Sequence, residues 1–222
     1  MRLTIFAASG GIGRLLLHQA TDAGHDVTAV VRDPGRLPAT PARVLTADLA
    51  DPDPATLRAA VEGADAVLSA LGPVSKAEAG VAWRGTDAIV TAMRETGARR
   101  LVAVSAAPVG TVPSPGRPHP PRHDPGDGLV LRTLAYPLLK AVLRAHYADL
   151  ARMEDVLRDS GLDWTAVRPV YLSDKPVTGT YRTAHDQNLR HGTSISRADV
   201  AHCMLAVLTR PATVGRTVSV AY

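Results

Sequence analysis

Cysteine is nearly absent: Cys203 is the only one in 222 residues. A single thiol can build neither a disulfide framework nor a zinc site, and the expected setting is a reducing compartment, the cytoplasm. Aromatic residues are scarce at 4%, although 45% of the chain is apolar. The core must therefore come from Val, Leu, Ile and Ala, which suits a parallel sheet covered by helices better than a β-sandwich. No uncharged apolar run approaches the roughly 18 residues that a membrane span needs. The N-terminal apolar run is broken at Gly10, Gly11 and Gly13, so no signal peptide is expected. The formal net charge is only +4, and no basic stripe interleaved with aromatics occurs. Nucleic acid is therefore not an expected partner.

What the chain does contain is alternation. Residues 3–8 read as a strand. Residues 12–23 carry Ile12, Leu15, Leu16 and Ala20 on one helical face and end at Gly24. Buried strands are expected at 27–31, 66–71 and 101–105, with a weaker one at 44–46. Helices are expected at 54–62 and at 83–95, the latter closed by Gly97. This pattern predicts the α/β class, a Rossmann-type doubly wound parallel sheet. Residues 108–128 then hold seven of the seventeen prolines and are expected to be irregular. Beyond them, 129–160 read as mostly helical, kinked or broken at Pro137. A strand at 164–168, a helix at 197–208 and a short strand at 218–221 follow. The C-terminal portion is too interrupted to stand alone. The expectation is one domain over 1–222, with a small C-terminal substrate lobe built mainly from about 106–195.

The turn after the first strand reads Ala7-Ala8-Ser9-Gly10-Gly11-Ile12-Gly13. Gly10 and Gly13 match the second and third glycines of a G-x-x-G-x-x-G dinucleotide turn. Missing side chains let backbone approach a pyrophosphate, which then sits on the free N–H groups of the helix. Ala7 takes the first glycine position and is expected to keep a negative φ. At the end of the second strand, an NAD-binding fold places an acid about 20 residues past the glycines to hold the ribose hydroxyls. Here Arg32 comes first. A planar guanidinium suits a 2′-phosphate, and Arg36 lies one turn on. This points to NADP(H), with Asp33 as the contrary feature. Asp48 follows the third strand and is either an adenine acceptor or a turn cap. Leu49 would cover the ring, and Leu71-Gly72 would let the dinucleotide pass. The expected cofactor set is Ala8, Ser9, Gly10, Gly11, Ile12, Gly13, Arg32, Asp33, Arg36, Asp48, Leu49, Leu71, Gly72, Ser105, Pro169 and Tyr171.

These residues resemble the atypical short-chain dehydrogenase/reductase superfamily. Within it they are most similar to the NAD(P)H-binding, NmrA-like group that includes biliverdin reductase B, or flavin reductase. The resemblance runs on through Leu101-Val102-Ala103, through residues 157–169, through Asp174-Lys175-Pro176-Val177-Thr178-Gly179 and through Ile195-Ser196-Arg197-Ala198-Asp199-Val200. It implies a reductase. Two positions depart from the group: Ala106 replaces a common serine, and Tyr171 stands where the reductase has a histidine. The segment at about 109–145 is also longer, and its apolar helix could be a lid, a dimer contact or a pocket wall.

Conventional members of the superfamily use a Tyr-x-x-x-Lys pair, in which the ammonium lowers the pKa of the phenol. Tyr147 has Ala151 at the lysine position, so a packing role is favoured for it. Ser105 could bond substrate or nicotinamide, and Tyr171 could cap the nicotinamide or donate a proton. Ser105, Tyr171 and Tyr147 are therefore the catalytic candidates. The missing lysine favours a planar conjugated acceptor such as a flavin or quinone, which delocalises charge where a simple ketone does not. A non-catalytic redox sensor and a tailoring ketoreductase or epimerase using Tyr147 are the alternatives. His119, His123 and Asp124 sit among prolines without a further ligand, so no metal site is expected. Trp83 and Trp164 read as packing residues. Leu134, Leu138, Leu139, Val142 and Leu143 form an apolar helix face suited to a core or interface, not to a membrane. A monomer or homodimer is expected.

Overall fold

The computed structural model describes residues 1–73, 78–128 and 131–222. The expected helix start at 129–130 lies outside the described residues. Five strands come first: β1 (Arg2–Phe6), β2 (Asp26–Val31), β3 (Arg43–Thr46), β4 (Ala66–Ser69) and β5 (Arg100–Val104). The second half adds β6 (Asp163–Pro169), β7 (Tyr171–Ser173), β8 (Arg182–His185), β9 (Ser194–Ser196) and β10 (Arg216–Ala221). The helices are α1 (Gly11–Asp22), α2 (Pro54–Val61), α3 (Val81–Thr96), α4 (Tyr136–Val142), α5 (Arg144–Asp159) and α6 (Arg197–Ala206).

Among the described residues the main sheet has eight strands in the order β3-β2-β1-β4-β5-β6-β10-β8. The first six follow the doubly wound Rossmann order, with its switch point between β1 and β4. All pairs are parallel except β10 with β8. The β7–β9 pair stands apart as a small parallel sheet.

Side-chain alternation along the strands explains the two buried faces. Leu3 and Ile5 of β1 join Leu16, Leu17, Val200 and Met204 from α1 and α6. Phe6 joins Leu57, Ile89, Met93, Leu150 and Leu157 from α2, α3 and α5. A sheet buried on both faces needs continuous apolar strands, which is why β2 and β4 lack polar alternation. One buried acid helps hold the helical layer together. Asp149 of α5 accepts from the backbone N–H groups of Gly80, Ala82 and Trp83, at 2.9, 3.2 and 2.9 Å. It caps the N-terminus of α3 from a different helix, satisfying donors that would otherwise be orphaned.

Three expectations about the second half change. The helical stretch consists of a π-helical turn (Leu131–Ala135), α4 and α5. The π turn gives way to α4 just before Pro137, and the break between α4 and α5 falls at Leu143. The proline-rich stretch opens with a 3-10 turn, Ala107–Thr111. Strands β7, β8 and β9 are new; each is short and mostly polar, so no apolar period marks it.

Candidate cofactor and active site

The glycine turn is organised by one carbonyl. The expectation of a negative φ at Ala7 is overturned: its φ is +56°. This left-handed residue aims its carbonyl back beneath α1, where the Gly10 N–H donates to it at 3.0 Å. A Cβ on Gly13 would stand 2.1 Å from that oxygen, and one on Gly10 would stand 3.3 Å from it. Both glycines are therefore set by the position of Ala7. The first turn of α1 has no side-chain cap and no acidic residue. Its N–H groups form a donor cluster suited to an anion. Ala8 is buried, and its N–H donates to the Val30 carbonyl at 3.2 Å. Ser9 and Ile12 are half-buried beside the turn, and Gly11 is exposed.

At the end of β2, Arg32 is exposed and paired with Glu78 at 3.0 Å. The Glu78 hydrogen bond and charge raise its pKa. Asp33 is exposed, and its Oδ1 accepts from the Gly35 N–H at 2.9 Å, capping the 3-10 turn Pro34–Arg36. Arg36 is exposed, with no side-chain partner among the described residues. Asp48 is exposed, and its Oδ1 accepts from the Ala50 N–H at 2.9 Å, which is the turn-cap arrangement. Leu49 and Leu71 are mostly buried, and Gly85 of α3 leaves the room for them: a Cβ there would lie 2.5 Å from Leu71 Cδ2 and 3.2 Å from Leu49 Cβ. Among the described residues, a Cβ on Gly72, just past the end of β4, would meet nothing within 4 Å.

Beyond β5 lies a buried network that the residue pattern did not disclose. The Ser105 hydroxyl donates to Glu154 Oε1 at 2.7 Å. Arg168 Nε donates to the same oxygen at 2.7 Å, and Arg158 donates to Oε2 at 2.7 Å. Glu154 is fully buried. Burial alone pushes its carboxyl up, but the Arg168 charge and hydrogen bond, then Arg158 and Ser105, hold it below the usual range. Ser105 thus carries a hydroxyl already engaged by a carboxylate. The available signal was an acid on the apolar face of α5, between Leu150, Met153 and Leu157, matched by an arginine in a buried strand.

Pro169 ends β6, and Tyr171 begins β7 with 76% of its surface exposed. Tyr147 is buried, and burial raises its pKa, the opposite of what a proton donor at neutral pH needs. The chain does hold a Tyr-x-x-x-Lys spacing elsewhere, Tyr136 and Lys140 on α4, which the reading around Tyr147 missed. Tyr136 is driven up by burial and then by the Asp127 and Asp124 charges. Lys140 is lowered by burial and hydrogen-bonds to the Thr111 hydroxyl.

The two C-terminal motifs converge on Asp199. It accepts from the Thr178 and Gly179 N–H groups at 2.9 Å each and from the Tyr222 hydroxyl at 2.6 Å. Ser196 caps α6 by accepting from the Asp199 N–H at 2.9 Å. Thr178, Gly179, Ser196 and Asp199 therefore serve the scaffold. His119 and His123 are exposed, while Asp124 turns inward to accept from the Gly126 and Asn188 N–H groups. Among the described residues, no three His, Cys, Asp or Glu side chains gather as a metal site, and no helix is long and apolar enough to cross a membrane. Both tryptophans pack as expected: Trp164 is buried, and Trp83 is half-buried against the same core with the Arg152 guanidinium 4.2 Å above its ring. The apolar face of α4 is not core: Leu138 and Val142 are 63% and 68% exposed.

Comparison with known proteins agrees with this architecture. The sequence matches the NAD(P)H-binding family over residues 7–211. It is 29% identical to the uncharacterized sugar epimerase YhfK of Bacillus subtilis, over 97% of this chain and 92% of that protein. The fold resembles a short-chain dehydrogenase/reductase of Veillonella parvula solved in complex with NADP, with TM-score 0.76 and 19% identity, covering 100% of this chain and 94% of that one. It also resembles SP1627 of Streptococcus pneumoniae, proposed to be an NADH-flavin reductase, with TM-score 0.73 and 22% identity over 100% and 99% of the two chains. With a Rossmann sheet, an uncapped glycine turn and a family match across nearly its whole length, this chain belongs to the NAD(P)H-binding family.

Proposed function

We propose that the chain is an NADPH-dependent reductase that delivers hydride to a planar conjugated acceptor such as a flavin, quinone or aromatic metabolite. The observation carrying this reading is the geometry at the end of β2. One oxygen of Asp33, the acid that could have held ribose hydroxyls, is engaged by the Gly35 N–H, while Arg36 and the Glu78-paired Arg32 are exposed beside it. Two guanidiniums suit a 2′-phosphate better than a diol. The first turn of α1 would hold the pyrophosphate, and Gly72, without a side chain, would let the remainder of the cofactor pass. A bound dinucleotide would supply the hydride. Residues 1–222 act as one domain, with the substrate lobe drawn from about 106–195.

The acid-base groups support a conjugated acceptor. Ser105 is held by Glu154, Tyr147 is raised by burial, and Tyr171 stands in solvent. None is tuned to protonate a ketone oxygen as negative charge builds there. A flavin or quinone spreads that charge and takes its proton from water. The name of the Streptococcus relative is consistent with such an acceptor. The test is a fluorescence titration with NADPH and NADH, followed by FMN and a simple quinone. NADPH should bind more tightly and be consumed. Equal or tighter NADH binding would overturn the role of Arg32, and tight binding without turnover would favour a sensor.

A second reading, a ketoreductase or epimerase, rests on the Tyr136–Lys140 spacing alone, since Tyr136 is raised by burial as Tyr147 is and Lys140 bonds Thr111. On that reading, Tyr136→Phe abolishes turnover while Tyr147→Phe spares it.

A further inference from the structure

The motif Ile195-Ser196-Arg197-Ala198-Asp199-Val200 has a scaffold role for every residue but one. Ile195, Ala198 and Val200 are buried, and Ser196 and Asp199 close the start of α6. Arg197 is left over. Its side chain lies across the glycine turn: a Cβ on Gly11 would stand 3.1 Å from Arg197 Cδ and 3.2 Å from Nε. Gly11 is the first residue of α1 and does not have a positive φ, so backbone freedom does not call for glycine there. The absent side chain instead leaves room for the arginine. Arg197 pairs with Asp174 at 2.6 Å, but Asp174 is 88% exposed. Such a pair adds little to stability. Gln19, in the C-terminal half of α1, donates to the Ala198 carbonyl at the start of α6 at 2.9 Å and ties the two helices together.

A cation therefore sits beside the uncapped, acid-free donor cluster of α1. We propose that Arg197 is a pyrophosphate ligand, its guanidinium completing from α6 the anion site begun by the first turn of α1, with Asp174 steering it. This rests on the cofactor site proposed above. A planar guanidinium can fork two phosphate oxygens.

The test compares NADPH with adenosine 2′-monophosphate, which carries the 2′-phosphate but no pyrophosphate. Binding is measured for the wild-type chain and for the Arg197→Gln, Arg197→Lys and Arg32→Gln variants. Arg197→Gln should weaken NADPH by 10- to 100-fold and leave adenosine 2′-monophosphate unchanged. Arg197→Lys should fall between, keeping the charge and losing the fork. Arg32→Gln should weaken both ligands. Unchanged NADPH affinity in Arg197→Gln would overturn the proposal. So would an equal loss for both ligands, which would mean the groove itself had been disturbed. If the wild-type chain bound NADPH but Arg32→Gln changed nothing, the 2′-phosphate reading would fall while the Arg197 result still stood by itself.

Discussion

The Ala7 carbonyl oxygen lies 2.1 Å from where a Cβ on Gly13 would be. The contact is backbone against helix, so neither partner can move without shifting β1 or α1. Gly13→Ala should therefore destabilise the fold by on the order of 3 kcal/mol, as overpacking at rigid sites does. Urea denaturation measures this, and an unchanged midpoint would refute the account of the turn.

Ala7 itself is strained at φ +56°. A left-handed non-glycine residue costs roughly 1–2 kcal/mol, partly offset because glycine is more flexible when unfolded. Ala7→Gly should raise stability by up to about 1 kcal/mol. A lower melting temperature would show that the Ala7 methyl matters more to packing than its φ does to strain.

Removing Arg32 should change cofactor preference more than folding. The pair with Glu78 is exposed, so Arg32→Gln should leave the melting temperature nearly unchanged. Charge-assisted bonds to a phosphate are worth roughly 1.5–3 kcal/mol, so NADPH affinity should fall by about 10- to 100-fold. NADH affinity should not fall. Parallel losses for both dinucleotides would count against a 2′-phosphate contact.

Glu154 predicts a pH dependence. Its carboxyl is held below its ordinary value, so its contribution to stability is complete above the unfolded value of about 4.3. That contribution declines as pH falls through the lower folded value. Glu154→Gln leaves Arg168 buried and without its ion-pair partner. It should cost about 3 kcal/mol at neutral pH and flatten the acid limb of the stability profile. Chemical denaturation from pH 3 to 7 compares the two proteins, and parallel acid limbs would remove Glu154 as the titrating group.

Much of the first hundred residues was legible because the relevant information is local. Gly10 and Gly13 follow a strand and open a helix, and the valines of β2 need no distant partner to be read as buried. Arg32 and Asp33 were both flagged, but only the fold reveals that one Asp33 oxygen is engaged by Gly35 two residues on. Non-local pairings were hidden. Nothing near Asp149 announces that it caps α3, and Glu154 and Arg168 read separately as a helix acid and a strand arginine. Ala7 was misjudged for a related reason. Its φ is imposed by α1 packing back onto the turn, which outweighs the residue's own preference.

The clasp around Asp199 bears on how kinship should be interpreted. A hexapeptide whose aspartate ties a loop, a helix start and the Tyr222 hydroxyl together will persist wherever that architecture persists. A match carried by it therefore reports the frame and not the reaction. Divergence in chemistry should instead appear in the stretch carrying Thr111, Tyr136 and Lys140, where the scaffold makes fewer demands.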